Sequence, residues 1–152
     1  MAVATPLRAE GEQRPAAAVR KAPVLAGTAA LPALEWGWPV DTPIVVAYSD
    51  SAKGIDFSGA TGLAVRAAAA GEVSYVGSSL RGYGLMVVIK HDKGYLSVYA
   101  HNHRIAVKLG QRVERGQKIA EMGNTDSKDV TLHFELRHQG RPLDPAQVLP
   151  AR

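Results

Sequence analysis

The segment Thr131-Leu132-His133-Phe134-Glu135-Leu136-Arg137 alternates apolar and polar side chains without a break. Leu132, Phe134 and Leu136 fall on one parity; Thr131, His133 and Glu135 fall on the other. A period of two belongs to a strand with one buried face, whereas a helix repeats its apolar stripe roughly every 3.6 residues. The feature therefore demands a sheet, something for its apolar face to pack on, and an open face that carries His133.

The same rhythm returns in shorter pieces. Residues 44–48 (Ile-Val-Val-Ala-Tyr) read as a strand ahead of a polar turn over 49–53. Gly54-Ile55-Asp56-Phe57 reads as another, with Ile55 and Phe57 on one face and Asp56 on the other. Residues 71–77 carry Val73 and Tyr75 on one parity, and 85–91 are almost continuously apolar, as in a central strand. Asp92-Lys93-Gly94 predicts a hairpin turn into 95–101. There Leu96, Val98 and Ala100 share one face and Tyr95, Ser97, Tyr99 and His101 the other, which puts His101 at a strand end beside polar or amphipathic neighbours. Short strands follow near 105–107, 110–113 and 116–119, and the repeated Gly-Gln at 110–111 and 116–117 predicts two similar turns. Residues 123–129 read as a polar loop, Gly140 as a turn, and 142–149 as a closing segment with a short helical turn started by Pro145. Trp36 and Trp38, near the entry of the domain, are read as core plugs.

Only 6% of the 152 residues are aromatic against 46% hydrophobic, so Leu, Val and Ile must fill most of one core. Fifteen Gly and nine Pro fit a chain of short strands and tight turns. The net charge of +4 is spread along the chain rather than clustered, which argues against a nucleic-acid partner. The absence of cysteine excludes disulfides and thiolate metal sites. No apolar run has the length of a membrane helix, and the first residues lack a charged start followed by an apolar block. Residues 1–33, rich in Ala and punctuated by Pro6, Pro15, Pro23 and Pro32, read as a flexible linker or tail; a short helix over 16–21 would lack an apolar face. The domain is read as 34–152.

Asp56, His101 and His133 are the residues able to converge on open strand faces. A carboxylate and an imidazole can share a zinc ion while a second imidazole serves as base to its water. Each residue alone fits a hydrogen-bonding cap or a surface imidazole equally well.

Taken together, Lys53-Gly54-Ile55-Asp56, Tyr99-Ala100-His101-Asn102, Val113 with Gly116-Gln117-Lys118-Ile119, Met122-Gly123-Asn124-Thr125, Leu132-His133-Phe134-Glu135-Leu136-Arg137 and Asp144-Pro145 resemble the LytM (M23 metallopeptidase) family over residues 38–149. The resemblance implies a mainly β fold: a compact antiparallel sheet of the duplicated-hybrid-motif type, with a groove. In active members zinc is held by the His and Asp of His-x-x-x-Asp and by the second His of His-x-His; the first His of His-x-His and the His of Tyr-x-His assist catalysis. Asp56, His133 and His101 match three of these positions. Ala52 and Thr131 stand where the other two histidines belong. Ala52 has no donor atom and Thr131 is a poor base, so the expectation is no catalysis, no metal ligands and no zinc cofactor. His91, His103 and His138 are the alternatives for rescue.

Within the family this combination resembles the murein hydrolase activators. That implies a periplasmic, outer-membrane-linked regulator that switches on an N-acetylmuramoyl-L-alanine amidase during septal peptidoglycan cleavage in cell division. In such proteins a lipid-anchored, glycan-binding segment precedes the domain, so residues 1–33 would be the connecting linker and any membrane contact would come through the lipid anchor. The expected docking groove is formed by Asp56, Arg81, Tyr83, His101, Thr131, His133 and Glu135. A peptidoglycan-binding module and an active zinc endopeptidase are the competing readings.

Overall fold

A computed structural model describes residues 34–152; the linker read over 1–33 lies outside the described residues. Among the described residues eleven strands form two antiparallel sheets. The first three are β1 (Ile44–Val46), β2 (Ile55–Ser58) and β3 (Ala64–Arg66). The middle of the chain gives β4 (Gly71–Gly77), β5 (Met86–Lys90), β6 (Tyr95–Ala100) and β7 (Asn102–Ile105). The last are β8 (Arg112–Val113), β9 (Lys118–Met122), β10 (Thr131–His138) and β11 (Arg141–Leu143). The large sheet runs β1-β2-β10-β6-β5-β4-β8, and β11 joins β10 on the edge that β2 leaves free; the small sheet runs β3-β9-β7.

β10 is the strand that its alternation predicts, and it lies inside the large sheet between β2 and β6. Leu132, Phe134 and Leu136 are fully buried. Register carries this face sideways: Leu132 opposes Phe57, Phe134 opposes Ile55 and Tyr99, and Val87 opposes Tyr99. Val65, Ile119, Ala120 and Met122 of the small sheet meet them in one core. Tyr99 and Phe134 pack with ring centroids 5.4 Å apart. The tryptophans plug the entry as expected: Trp36 lies edge-on to His91 and Tyr95, Trp38 lies edge-on to Phe57, and the Trp38 Nε1–H donates to the Pro150 carbonyl at 2.7 Å.

The structure corrects the parity reading in three places. The strand expected over 44–48 stops at Val46 and forms a sheet edge, with Val45 55% exposed. In β4 the register shifts between Val73 and Tyr75. Val73 packs in the main core, while this bulge turns Tyr75 to the opposite face beside Val88 and Val98. In β6 both faces are buried: Ser97 and Tyr99, whose hydroxyls bond to each other at 2.7 Å, lie on one, and Val98 and Ala100 pack with Met86 in a second cluster on the other. His101 does not follow Tyr99 inward. Its φ of 69° breaks the pleat, and the ring emerges 6.2 Å from that of His133, which is paired with Ala100.

The repeated Gly-Gln gives two matching turns. The Gln111 side chain accepts from Lys108 N–H (3.1 Å) and the Gln117 side chain from Glu114 N–H (3.0 Å), with positive φ at Gly110 and Gly116.

Gly54 sets how closely β2 enters beside β10. A Cβ there would lie 2.4 Å from the Phe134 carbonyl oxygen and 2.8 Å from Glu135 Cγ. Gly54→Ala is expected to cost about 1–3 kcal/mol, because backbone on one side leaves little room to yield. Urea unfolding measures this; a variant as stable as the parent would show that β2 shifts freely.

Candidate functional site

The open face of the large sheet collects the polar parity of β10. His133 lies opposite Asp56 of β2 on one side and Ala100 of β6 on the other. Thr131, Glu135 and Arg137 follow on the same parity. The loop between β4 and β5 brings Tyr83 over this row, its ring centroid 5.8 Å from that of His133.

These groups form a continuous chain of opposite charges. The His133 Nδ1–H donates to Asp56 Oδ1 at 2.6 Å and its Nε2–H donates to Glu135 Oε2 at 2.8 Å. The same Glu135 oxygen accepts from the Tyr83 hydroxyl at 2.8 Å. Its other oxygen accepts from Arg137 Nε and Nη2 at 2.8 and 2.6 Å. The Glu135 side chain is 1% exposed, against 14% for His133 and 26% for Arg137. A carboxylate so deep is tolerable because every lone-pair direction it offers toward the cluster is met by a donor, two of them cationic.

The protonation states follow from these contacts. Burial alone pulls the His133 imidazolium toward neutrality, but the hydrogen bonds and charges of Asp56 and Glu135 overcome it and lift its pKa to about 9. Burial raises the Glu135 carboxyl, yet the bonds from His133, Tyr83 and Arg137 prevail and hold it below its ordinary value. Burial and the Glu135 carboxylate both push the Tyr83 phenol upward. Because the folded-state pKa of His133 exceeds its ordinary 6.5, its contribution to stability is complete below pH 6.5 and disappears as pH rises through about 9. The full difference corresponds to about 3 kcal/mol. A ring-resolved NMR titration checks this: His133 is expected to stay protonated at pH 8, and titration near 6.5 would dissolve the charge chain.

His101 is held by its backbone N–H, which donates to the Tyr83 carbonyl at 2.9 Å, and by its ring Nδ1–H, which donates to the Thr125 carbonyl at 2.8 Å. Asp56, Tyr83, His101, Thr131, His133 and Glu135 thus share one face. Arg81 does not join them by any hydrogen bond or ion pair among the described residues; it stands exposed in the loop beside Gly82, whose N–H donates to Asp126. Arg137 was not among the groove residues expected from sequence, although its parity with His133 and Glu135 was the available signal. The deep burial of Glu135 had none, since strand alternation marks that position as open.

The zinc that the resemblance implies for active members does not fit this arrangement. Position 52 is alanine, and both nitrogens of His133 donate to carboxylates, so a metal could take this ring only by displacing one of its protons. Among the described residues no group of three His, Cys, Asp or Glu side chains is arranged to hold an ion. The alternative histidines are committed elsewhere. His91 is buried against Ala70 and Ser97, His103 is exposed on β7, and His138 stacks on Tyr95 while bonding to the Lys93 carbonyl.

Comparison with known proteins agrees with the fold. Residues 50–145 match peptidase family M23. A Pseudomonas aeruginosa protein named lipoprotein NlpD/LppB homolog is 48% identical over 134 residues, covering 86% of this chain and 44% of the relative. The Escherichia coli protein named murein hydrolase activator NlpD is 44% identical over 124 residues, covering 80% of this chain and 33% of the relative. The chain therefore spans less than half the length of these curated relatives. Among solved structures, a zinc-containing peptidase from Vibrio cholerae superposes with a TM-score of 0.72 at 32% identity, covering 76% of this chain and 41% of that one.

Proposed function

The chain belongs to peptidase family M23, and on that premise we propose that it is a catalytically inactive regulator, which activates a periplasmic N-acetylmuramoyl-L-alanine amidase for septal peptidoglycan cleavage. The observation that carries the reading is the double clamp on His133: both ring nitrogens are bonded to carboxylates where an active member needs a metal ligand. Ala52 and Thr131, at the other two histidine positions, support it. So does the name of murein hydrolase activator carried by the Escherichia coli relative. Relatives named as lipoproteins, one of them an outer membrane lipoprotein of Haemophilus influenzae, support a place at the outer membrane facing the periplasm. In this reading residues 1–33 are the linker to an anchored segment.

The proposed work of the site is recognition. The face with Asp56, Tyr83, His101, Thr131 and His133, with Glu135 buried beneath Tyr83, receives a segment of the amidase, and Arg81 at the exposed loop supplies a cation to a carboxylate on that partner. Tyr and Arg are favoured where a few side chains carry most of a binding energy. The test is release of fragments from purified murein by the amidase alone, by this protein alone and by both. Hydrolysis only with both supports the reading; release by this protein alone points to an endopeptidase, and no enhancement to a passive murein-binding module. Arg81→Ala and Tyr83→Ala are each expected to raise the concentration needed for half-maximal activation about tenfold or more, equivalent to about 1.4 kcal/mol. Unchanged activation in both variants moves the docking surface elsewhere.

A further inference from the structure

A second polar chain runs through the core, on the face of the large sheet opposite the charge cluster. The Ala68 N–H donates to the Tyr99 hydroxyl oxygen at 2.9 Å. Tyr99 and Ser97 hydroxyls are 2.7 Å apart, Ser97 Oγ lies 2.7 Å from His91 Nε2, and His91 Nδ1 lies 2.7 Å from the Ala70 carbonyl oxygen. Tyr99 and Ser97 are fully buried and His91 is 4% exposed.

The two ends fix the direction of every proton between them. An amide N–H can only donate, so Tyr99 accepts at one lone pair and has its own proton to place. A carbonyl can only accept, so His91 carries its proton on Nδ1 and offers Nε2 as an acceptor. Ser97 completes the chain by accepting from Tyr99 and donating to His91. Each member is satisfied in one orientation alone. A second proton on His91 would turn Nε2 into a donor that Ser97 must accept, and one hydroxyl proton of the chain, on Ser97 or on Tyr99, would be left buried with no acceptor within it.

Both ends of this chain lie in the short connection, residues 67–70, that leads from β3 in the small sheet to β4 in the large one. We propose that His91, Ser97 and Tyr99 form an acid-sensitive clasp on this connection, closed while His91 is neutral and opened when it gains a proton. The groups facing His91 are few. β6 presents the hydroxyls of Ser97 and Tyr99, the chain before β1 presents the uncharged edge of Trp36 at 5.0 Å, and the β3–β4 connection presents only the Ala70 carbonyl. Asp92, next in the chain, is the carboxylate that favours the extra proton, while Lys90 and Glu72 sit paired and exposed across β5 and β4. Burial outweighs Asp92 and the Ala70 bond, and holds His91 below its ordinary 6.5. The sign follows: stability is complete above pH 6.5 and falls as pH drops from there toward the folded-state pKa, by up to tenfold in the unfolding constant per pH unit.

Residue-resolved NMR on the whole chain tests the clasp. At pH 7.5 the His91 ring is expected as the Nδ1–H tautomer. On acidification it should titrate below 6.5, and the Ala68 amide should lose at least tenfold of its exchange protection, after correction for intrinsic rates, in step with that titration. Ser97→Ala removes the donor that favours the neutral ring, so in the folded protein the His91 titration should move upward. An Nε2–H tautomer at pH 7.5, a ring titrating at or above 6.5, Ala68 protection indifferent to it, or an unmoved titration in Ser97→Ala would each overturn the proposal.

Discussion

Glu135→Ala is expected to lower the unfolding free energy by about 3 kcal/mol, the lower end of the range for breaking a buried ion pair. The residue is the hub of the charge chain, with two oxygens serving Tyr83, His133 and two nitrogens of Arg137. Removing it leaves the Tyr83 hydroxyl and two cations without their shared acceptor. The lower end applies because Arg137 is 26% exposed and can turn to water, while His133 at 14% keeps Asp56. Glu135→Gln keeps the volume but presents an amide N–H₂ to a donor on one side, so it should fall between the two. Arg137→Ala is expected to cost less than Glu135→Ala, since the Glu135 carboxylate retains His133 and Tyr83. Urea unfolding at pH 7 ranks the three. If Glu135→Ala proves neutral, the cluster contributes nothing to stability.

That prediction rests on a feature the sequence concealed. The strand itself was plain: Leu132, Phe134 and Leu136 could face only a core, and the alternation put His133 opposite. The partner strands were plain too, because Ile55 and Phe57 flank Asp56 with the same parity. What alternation could not carry was any residue at which the pleat breaks. Parity places His101 on the face of Tyr99, but its left-handed backbone delivers the ring to the other face, beside His133. Tyr75 was misplaced for a related reason, since the bulge that turns it leaves no mark in residue type. Nor does parity measure depth. Glu135 occupies an open-face position, yet Tyr83 from a loop fifty-two residues away covers it, and that closure depends on tertiary structure alone. The convergence of Asp56 and His133, by contrast, was legible, because two neighbouring strands in antiparallel register suffice to produce it.

Ala52→His is expected to raise zinc affinity at least tenfold over the parent protein at pH 7.5, and the size of the gain should itself depend on pH. The substitution supplies a third donor to join Asp56 and His133, the ligand count that a stable protein zinc site ordinarily needs. Zinc must nevertheless compete for His133 with a proton that two carboxylates hold, with a pKa of about 9. Between pH 7 and 8.5 each unit should therefore strengthen binding by up to tenfold, until the ring is free of its proton. The introduced histidine, with an ordinary pKa near 6.5, adds to that dependence only toward the lower end of this window. Competition with a chromophoric chelator at several pH values measures both quantities. A gain without pH dependence would mean that His133 is not the ligand, and no gain at all would mean that the turn before β2 does not offer position 52 to the site. Peptidase activity is a separate matter: Thr131 also stands where a catalytic imidazole belongs, and even Ala52→His with Thr131→His leaves Glu135 and Arg137 bound to each other beneath the ring that would have to turn.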